Sequence, residues 1–165
     1  MAPKDENELQ HMLSSAFSYN MPVVIRYPRG RGFGAAMDAE FKNYPLGKGR
    51  WLSKGADINI LAVGNRVNPA LEAASLLKAQ GIVAGVADMR FIKPLDLELL
   101  TEACGPGGRL VTVEDNALAF GFGSAVLEAV NAAGLKARIL RLGIPDNYIE
   151  QGKPDELYAE LGLDA

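Results

Sequence analysis

The sequence predicts an α/β fold: an open, mainly parallel sheet covered by helices on both faces, three layers in all, preceded by a separate helix–strand pair. Two observations lead there. The stretch Leu110–Val126 opens with the apolar run Leu110-Val111-Thr112-Val113, bounded upstream by the turn formers Gly105-Pro106-Gly107-Gly108. A short apolar run between turn signals reads as a strand buried on both faces. The acidic cluster Glu114-Asp115-Asn116 follows, where the strand is expected to leave the sheet, then the glycine turn Gly121-Phe122-Gly123, with Ser124 placed to cap a helix. Val126, Ala129, Val130 and Ala133 recur on one face of that helix, and Gly134 supplies its stop. The second observation is that this strand–corner–helix unit repeats along the chain. Strands alternating with helices imply a parallel sheet with right-handed crossovers.

Taken in order, Asp5–Tyr19 reads as a helix opened by the D-x-x-E pair Asp5 and Glu8, with Leu9, Met12, Leu13, Ala16 and Phe17 as its apolar face. A turn at Asn20 leads to a short strand, Pro22–Arg26. The segment from Arg29 to Asn43 is glycine-rich at its start and has no period, so it reads as a linker and a domain boundary. Pro45–Leu52 suits a short antiparallel strand at the sheet edge. Ile58–Val63 and Val83–Met89 are buried strands. Between them Asn68-Pro69 starts a helix that turns Ala70, Ala73, Ala74 and Leu77 inward and ends at Gly81. Leu95–Ala103 is a further helix, Ala137–Leu142 a last strand, and Pro154–Leu161 a last short helix before Gly162.

Composition excludes several classes. The chain has 165 residues, a net charge of -3 and a pI near 5.2, without the clustered basic excess of a nucleic-acid footprint. No apolar run approaches the roughly 20 residues of a membrane span. Met1–Gln10 is polar and acidic, which does not read as a signal peptide. Cys104 is the only cysteine, so no internal disulfide forms, and a cytoplasmic location is expected.

Candidate chemistry is sparse. His11, the only histidine, has no second ligand near it in sequence and reads as a surface residue. Cys104 reads as a small buried side chain. Gly121-Phe-Gly-Ser-Ala-Val126 is half of a dinucleotide fingerprint, with Val126 where a third glycine belongs; it suits close strand–helix packing, or an anion at the helix N-terminus. Glu114 and Asp115, adjacent on a strand, point to opposite faces and form no ready acid–base pair; they suit a structural corner or an interface. The block Arg26-Tyr27-Pro28-Arg29-Gly30 follows a strand. Arginine's planar fork matches a phosphate or carboxylate, although a solvated linker uses the same residues. A free-standing nucleotide- or anion-binding module, or a dimerisation module, remains compatible with these residues.

Several blocks together resemble one family. They are Met1-Ala-Pro-Lys-Asp-Glu-Asn-Glu-Leu9, Arg26-Tyr-Pro-Arg-Gly30, Pro45-Leu-Gly-Lys-Gly49, Asp88-Met-Arg-Phe-Ile-Lys-Pro-Leu-Asp96, Val111-Thr-Val-Glu-Asp-Asn116, Gly121-Phe-Gly-Ser124, and Ile144-Pro-Asp146 through Gln151-Gly152. In that order they resemble the 1-deoxy-D-xylulose-5-phosphate synthases, transketolase-like enzymes that depend on thiamine diphosphate and Mg2+. That family joins pyruvate, with loss of carbon dioxide, to glyceraldehyde 3-phosphate, supplying isoprenoid and thiamine precursors. Its subunits have three α/β domains and pair as homodimers.

The resemblance implies that residues 1–30 end a pyrimidine-binding domain, 31–44 are a linker, and 45–165 are a transketolase C-terminal domain. It implies that Arg29 contacts the acceptor phosphate. No catalytic, cofactor-binding or metal-binding residue carries over, since the family's GDG motif, activating glutamate and active-site histidines have no counterpart here. The fragment alone is therefore expected to be inactive, its partners being a second copy and the N-terminal domains, with neither nucleic acid nor membrane. Two departures stand out. Phe120 replaces the first of two adjacent glycines, and the chain stops at Gly162-Leu-Asp-Ala165 where relatives often continue into a closing helix. Exposed apolar surface is expected there and along Asp5–Arg26.

Overall fold

Five strands form one sheet: β1 (Arg50–Ser53), β2 (Ile58–Ala62), β3 (Ala84–Asp88), β4 (Arg109–Ala117) and β5 (Arg138–Ile144), in the order β1-β3-β2-β4-β5. β2, β3, β4 and β5 are parallel, and β1 runs antiparallel at the edge against β3. This computed structural model describes residues 1–105 and 108–165; the expected turn at Gly105–Gly108 therefore lies partly outside the described residues. The helices are α1 (Glu6–Ser18), α2 (Val67–Ala79), α3 (Leu97–Cys104), α4 (Phe122–Ala132) and α5 (Pro154–Glu160).

Alternation along the strands builds two cores. Leu61, Val63, Ala87, Met89 and Leu110 meet Leu99, Leu100 and Ala103 of α3 and Phe122, Val126 and Val130 of α4. Residues of opposite parity, Ile60, Ala62, Val86, Val111 and Val113, meet Val67 and Ala70 of α2, with Tyr158 of α5, Leu161 and Leu163 alongside. The three-layer expectation therefore holds. Leu163 is buried, so the end of the chain seals this core where an exposed apolar surface was expected. Cys104 is buried as expected, and burial raises its thiol.

The sheet places its ligand-competent end by connectivity. From β2 the chain crosses outward to β3, then returns past β2 to β4. The crevice between the carboxyl ends of β2 and β4 is thus the point where strand order reverses, the usual ligand position in open α/β sheets.

The N-terminal segment departs from expectation. Pro22–Arg26 is extended but is no strand: Arg26 N–H donates to Met1 O at 2.9 Å and Met1 N to Val24 O at 2.8 Å, too few pairings for a ladder. Helix α1 is capped by Asp5, whose carboxylate accepts from Glu8 N–H, but Glu8 reaches Lys4 N–H and not the cap residue. Its inward face is Glu8, His11, Met12 and Ser15, mostly polar, whereas Leu13 and Phe17 of the expected apolar face are exposed. His11 is buried, not on the surface: its Nδ1 accepts from Lys42 N–H, leaving the Nε2 proton to point at Asp38, 2.8 Å away.

The polar face is held by partners on either side. Asn7 pairs with Asp38, Ser15 Oγ accepts from Tyr44 N–H, and Glu6 accepts from Gly34 N–H, so residues 34–44 run back along α1. On the other side Glu8 receives Arg90 Nε at 2.9 Å, both fully or nearly buried, and the Arg90 guanidinium lies 3.8 Å from the Tyr44 ring centre. Asp88, completely buried, accepts from Arg90 N–H with one oxygen; the other lies 3.9 Å from Arg90 Nε and has no hydrogen-bond partner among the described residues.

Burial first, and then the negative charge of Glu8, push the Asp88 carboxyl well above its ordinary range. The folded state therefore holds a proton that the unfolded chain releases, and stability falls as pH rises through that window. The isosteric Asp88→Asn removes the titration. Chemical denaturation between about pH 5 and 9 should show the variant gaining on the parent as pH rises; parallel curves would contradict this.

Candidate functional site

Three segments meet near the switch point: Gly64-Asn65-Arg66 after β2, Glu114-Asp115 in β4, and the arginine block reaching over from the N-terminal segment. β4 runs on through Ala117, past the point where it was expected to leave the sheet. Its regular register with β5 ends at Val113, resuming only at Ala117 opposite Ile144, so Glu114–Asn116 form an irregularity inside the strand. That irregularity turns two carboxylates in different directions.

Glu114 points to α4 and is 1% exposed. Its two oxygens accept from Phe122 N–H at 2.7 Å and Gly123 N–H at 2.8 Å. The carboxylate thus fills the helix N-terminus that an external anion would use. Gly121, not Ser124, is the residue at the cap, and a Cβ there would collide with Glu114 Oε2. At Gly123 it would meet Thr112 Oγ1 at 2.6 Å. The glycines therefore permit close strand–helix packing. Ser124 lies inside the helix, donating to Leu118 O and accepting from Arg141. Phe120 keeps the left-handed backbone, φ 60°, that a glycine would adopt freely, and its ring is almost wholly exposed. Burial raises the Glu114 carboxyl, opposed by the Gly123 and Phe122 amides and by Arg26 and Arg141.

Asp115 turns the other way. Its Oδ2 accepts from Tyr158 OH at 2.9 Å and from Asn65 Nδ2 at 3.1 Å. Asn65 also donates to the Tyr158 hydroxyl, and the Arg66 guanidinium stacks 3.6 Å from the Tyr158 ring centre. Burial and the Asp115 carboxylate both raise the Tyr158 phenol, keeping it a donor. The Asp115 carbonyl accepts from Arg26 Nη1, a contact 89 residues apart in sequence. Arg29, three residues on, is exposed, its guanidinium without an acceptor among the described residues.

Of the sequence candidates, the structure brings Arg26 onto Asp115 and leaves Arg29 in solvent. Glu114 becomes a helix cap, and Cys104 and His11 sit elsewhere in buried positions. Sequence reasoning missed Asn65 and Tyr158, which lie 50 and 43 residues from Asp115. The described residues hold no group of three or more His, Cys, Asp or Glu arranged for a metal ion. A shallow cleft of about 420 Å³ lies at the opposite, amino ends of β2 and β4 against Asp57, Asn59, Glu102 and Arg109. No helix is long and apolar enough to cross a membrane, among the described residues.

A family model, "Transketolase, C-terminal domain", matches residues 47–165. The chain belongs to the transketolase C-terminal domain family. Within this transketolase C-terminal family, the whole chain is 49% identical to 1-deoxy-D-xylulose-5-phosphate synthase of Heliobacterium modesticaldum and 51% to synthase 1 of Geobacter sulfurreducens. In both cases it spans 26% of the relative, about a quarter of its length. A solved split-gene transketolase, described as an inactive β4 tetramer, superposes with a TM-score of 0.86 at 32% identity, over 99% of this chain and 53% of that one.

The capping role of Glu114 is testable. Glu114→Gln keeps the shape but turns one acceptor into a donor facing a helix amide. It should destabilise the fold by about 1–3 kcal/mol in urea denaturation; a loss within experimental error would remove the role.

Proposed function

We propose that this chain is the C-terminal portion of a 1-deoxy-D-xylulose-5-phosphate synthase, which condenses pyruvate with glyceraldehyde 3-phosphate and releases carbon dioxide. The observation that carries this reading is end-to-end likeness to proteins of that name at about half identity. Residues 1–30 end the pyrimidine-binding domain, 31–44 are the linker, and 45–165 are the C-terminal domain.

In this reading Arg29 is the acceptor-phosphate ligand. Its exposure and free guanidinium suit a group that waits for an anion, and Pro28 stiffens its approach. Holding the phosphate orients the aldehyde for attack. Thiamine diphosphate and Mg2+ belong to the rest of the protein and supply the carbon–carbon chemistry there. In keeping with this reading, the α4 N-terminus, where a diphosphate could otherwise sit, is taken by Glu114. That same occupied N-terminus argues against a free-standing anion-binding module. Its partners are the N-terminal domains and a second copy, in a cytoplasmic homodimer. The exposed Leu13, Phe17, Met21 and Val24 suit the former contact.

The test compares residues 1–165, the complete gene product, and its Arg29→Ala variant. The complete protein should form 1-deoxy-D-xylulose 5-phosphate and the chain alone should not. Arg29→Ala should raise KM for glyceraldehyde 3-phosphate about 10- to 100-fold with pyruvate handling intact, the size of a lost charged contact. Turnover by residues 1–165 alone would overturn the reading, and unchanged kinetics would remove Arg29 from the site.

A further inference from the structure

The loop bearing Arg29 hangs between two posts. Upstream, Arg26 is fixed twice, by its N–H to Met1 O and by its guanidinium to the Asp115 carbonyl. Downstream, Gly34 N–H binds Glu6. Between them Gly32 lies close against the Glu6 side chain, while Gly30, next to Arg29, faces open space, where an added Cβ would meet nothing within 4 Å. Arg29 lies three residues past Arg26, at most about 10 Å of extended chain, and proline removes one torsion from that span. Whatever sets Arg26 therefore largely sets where Arg29 can reach.

Asp115 is itself immobilised. It sits in the irregularity of β4, and Tyr158 and Asn65 both donate to the same carboxylate oxygen. Arg66 closes the back of the cluster by stacking on Tyr158 and donating to Leu163 O at 2.9 Å. The turn after β2 and helix α5 thus converge on the side chain of one residue, Asp115, whose backbone carbonyl receives an arginine from the N-terminal segment.

We propose that Asp115, held by Tyr158 and Asn65, is a positioning residue for the phosphate site: it seats Arg26, and through Arg26 it aims Arg29 at the acceptor phosphate. This rests on the function proposed above. The network acts on selectivity for a phosphorylated acceptor and not on the carbon chemistry. Asn65 and Tyr158 touch neither substrate nor cofactor; they act through Asp115 and Arg26.

The experiment uses the complete gene product with two acceptors, glyceraldehyde 3-phosphate and unphosphorylated glyceraldehyde. Arg26→Met keeps the apolar stem and removes the donor; Tyr158→Phe removes only a hydroxyl from the far end of the network. Each should raise KM for glyceraldehyde 3-phosphate about three- to tenfold, the size of one lost hydrogen bond, while kcat and the kcat/KM for glyceraldehyde stay unchanged. Arg26→Lys, which still reaches a carbonyl, should recover part of the loss. The double variant should fall short of the product of the single effects, because both act along one path. Equal losses with both acceptors would mean a merely structural role and overturn the proposal. So would an effect of Arg26→Met with none from Tyr158→Phe, since Arg26 would then bind phosphate directly. If Arg29→Ala itself leaves KM unchanged, the phosphate site fails and this proposal with it. If Arg29→Ala raises KM but Tyr158→Phe does not, the positioning network alone is wrong.

Discussion

The buried pair of Glu8 and Arg90 fixes how the two parts of the chain meet. Both side chains are out of water, and leaving either one without the other would cost about 3–5 kcal/mol. Helix α1 consequently has one acceptable orientation, with its polar face turned to the sheet and residues 34–44. Everything that follows it inherits that placement. The extended segment after Asn20 runs along Met1, and Arg26 arrives at the carboxyl end of β4. Neutral apolar packing would have tolerated sliding or rotation; the largely buried charges of Glu8, Arg90 and Lys4, with Asp88 beside them, do not.

The same logic explains the motif blocks. In Asp5-Glu-Asn-Glu8 each polar residue plays a separate part. Asp5 caps the helix, Glu6 anchors Gly34, Asn7 partners Asp38, and Glu8 pairs with Arg90. In Asp88–Asp96, Asp88 and Arg90 build the node, while Asp96 caps α3 and accepts from Gly49 N–H of the neighbouring block. The block around Glu114 caps α4 and seats Arg26. These residues hold elements together, and only Arg29 in the arginine block is left with its fork in solvent.

The sheet was legible in the sequence because hydrophobic runs and glycine stops are local signals. All five strands of the sheet correspond to predicted runs, and only Pro22–Arg26 was predicted as a strand and is none. The antiparallel edge strand was foreseen within Pro45–Leu52 and forms at Arg50–Ser53. What was not legible was polar and long-range. Leu13 and Phe17 looked like the inward face of α1 because apolar residues usually turn inward, yet Glu8, His11 and Ser15 are the ones with partners waiting for them. His11 binds Asp38 and Lys42, 27 and 31 residues away, and Glu8 binds Arg90 across 82. Ser124 looked like the cap because serine caps helices, but Glu114 supplies a charged acceptor from the strand beside it. No local pattern could have linked Tyr158 to Asp115.

The proposed function, with Arg29 as phosphate ligand and the carbon chemistry supplied from outside these residues, makes this chain a part of a larger enzyme. The most direct check is the mass of the native polypeptide in its source cell, read with an antibody raised against residues 1–165. A chain serving as the C-terminal quarter of a synthase appears in a species several times heavier than 17.6 kDa. A native product of 17.6 kDa would contradict that assignment and return the molecule to the free-standing modules.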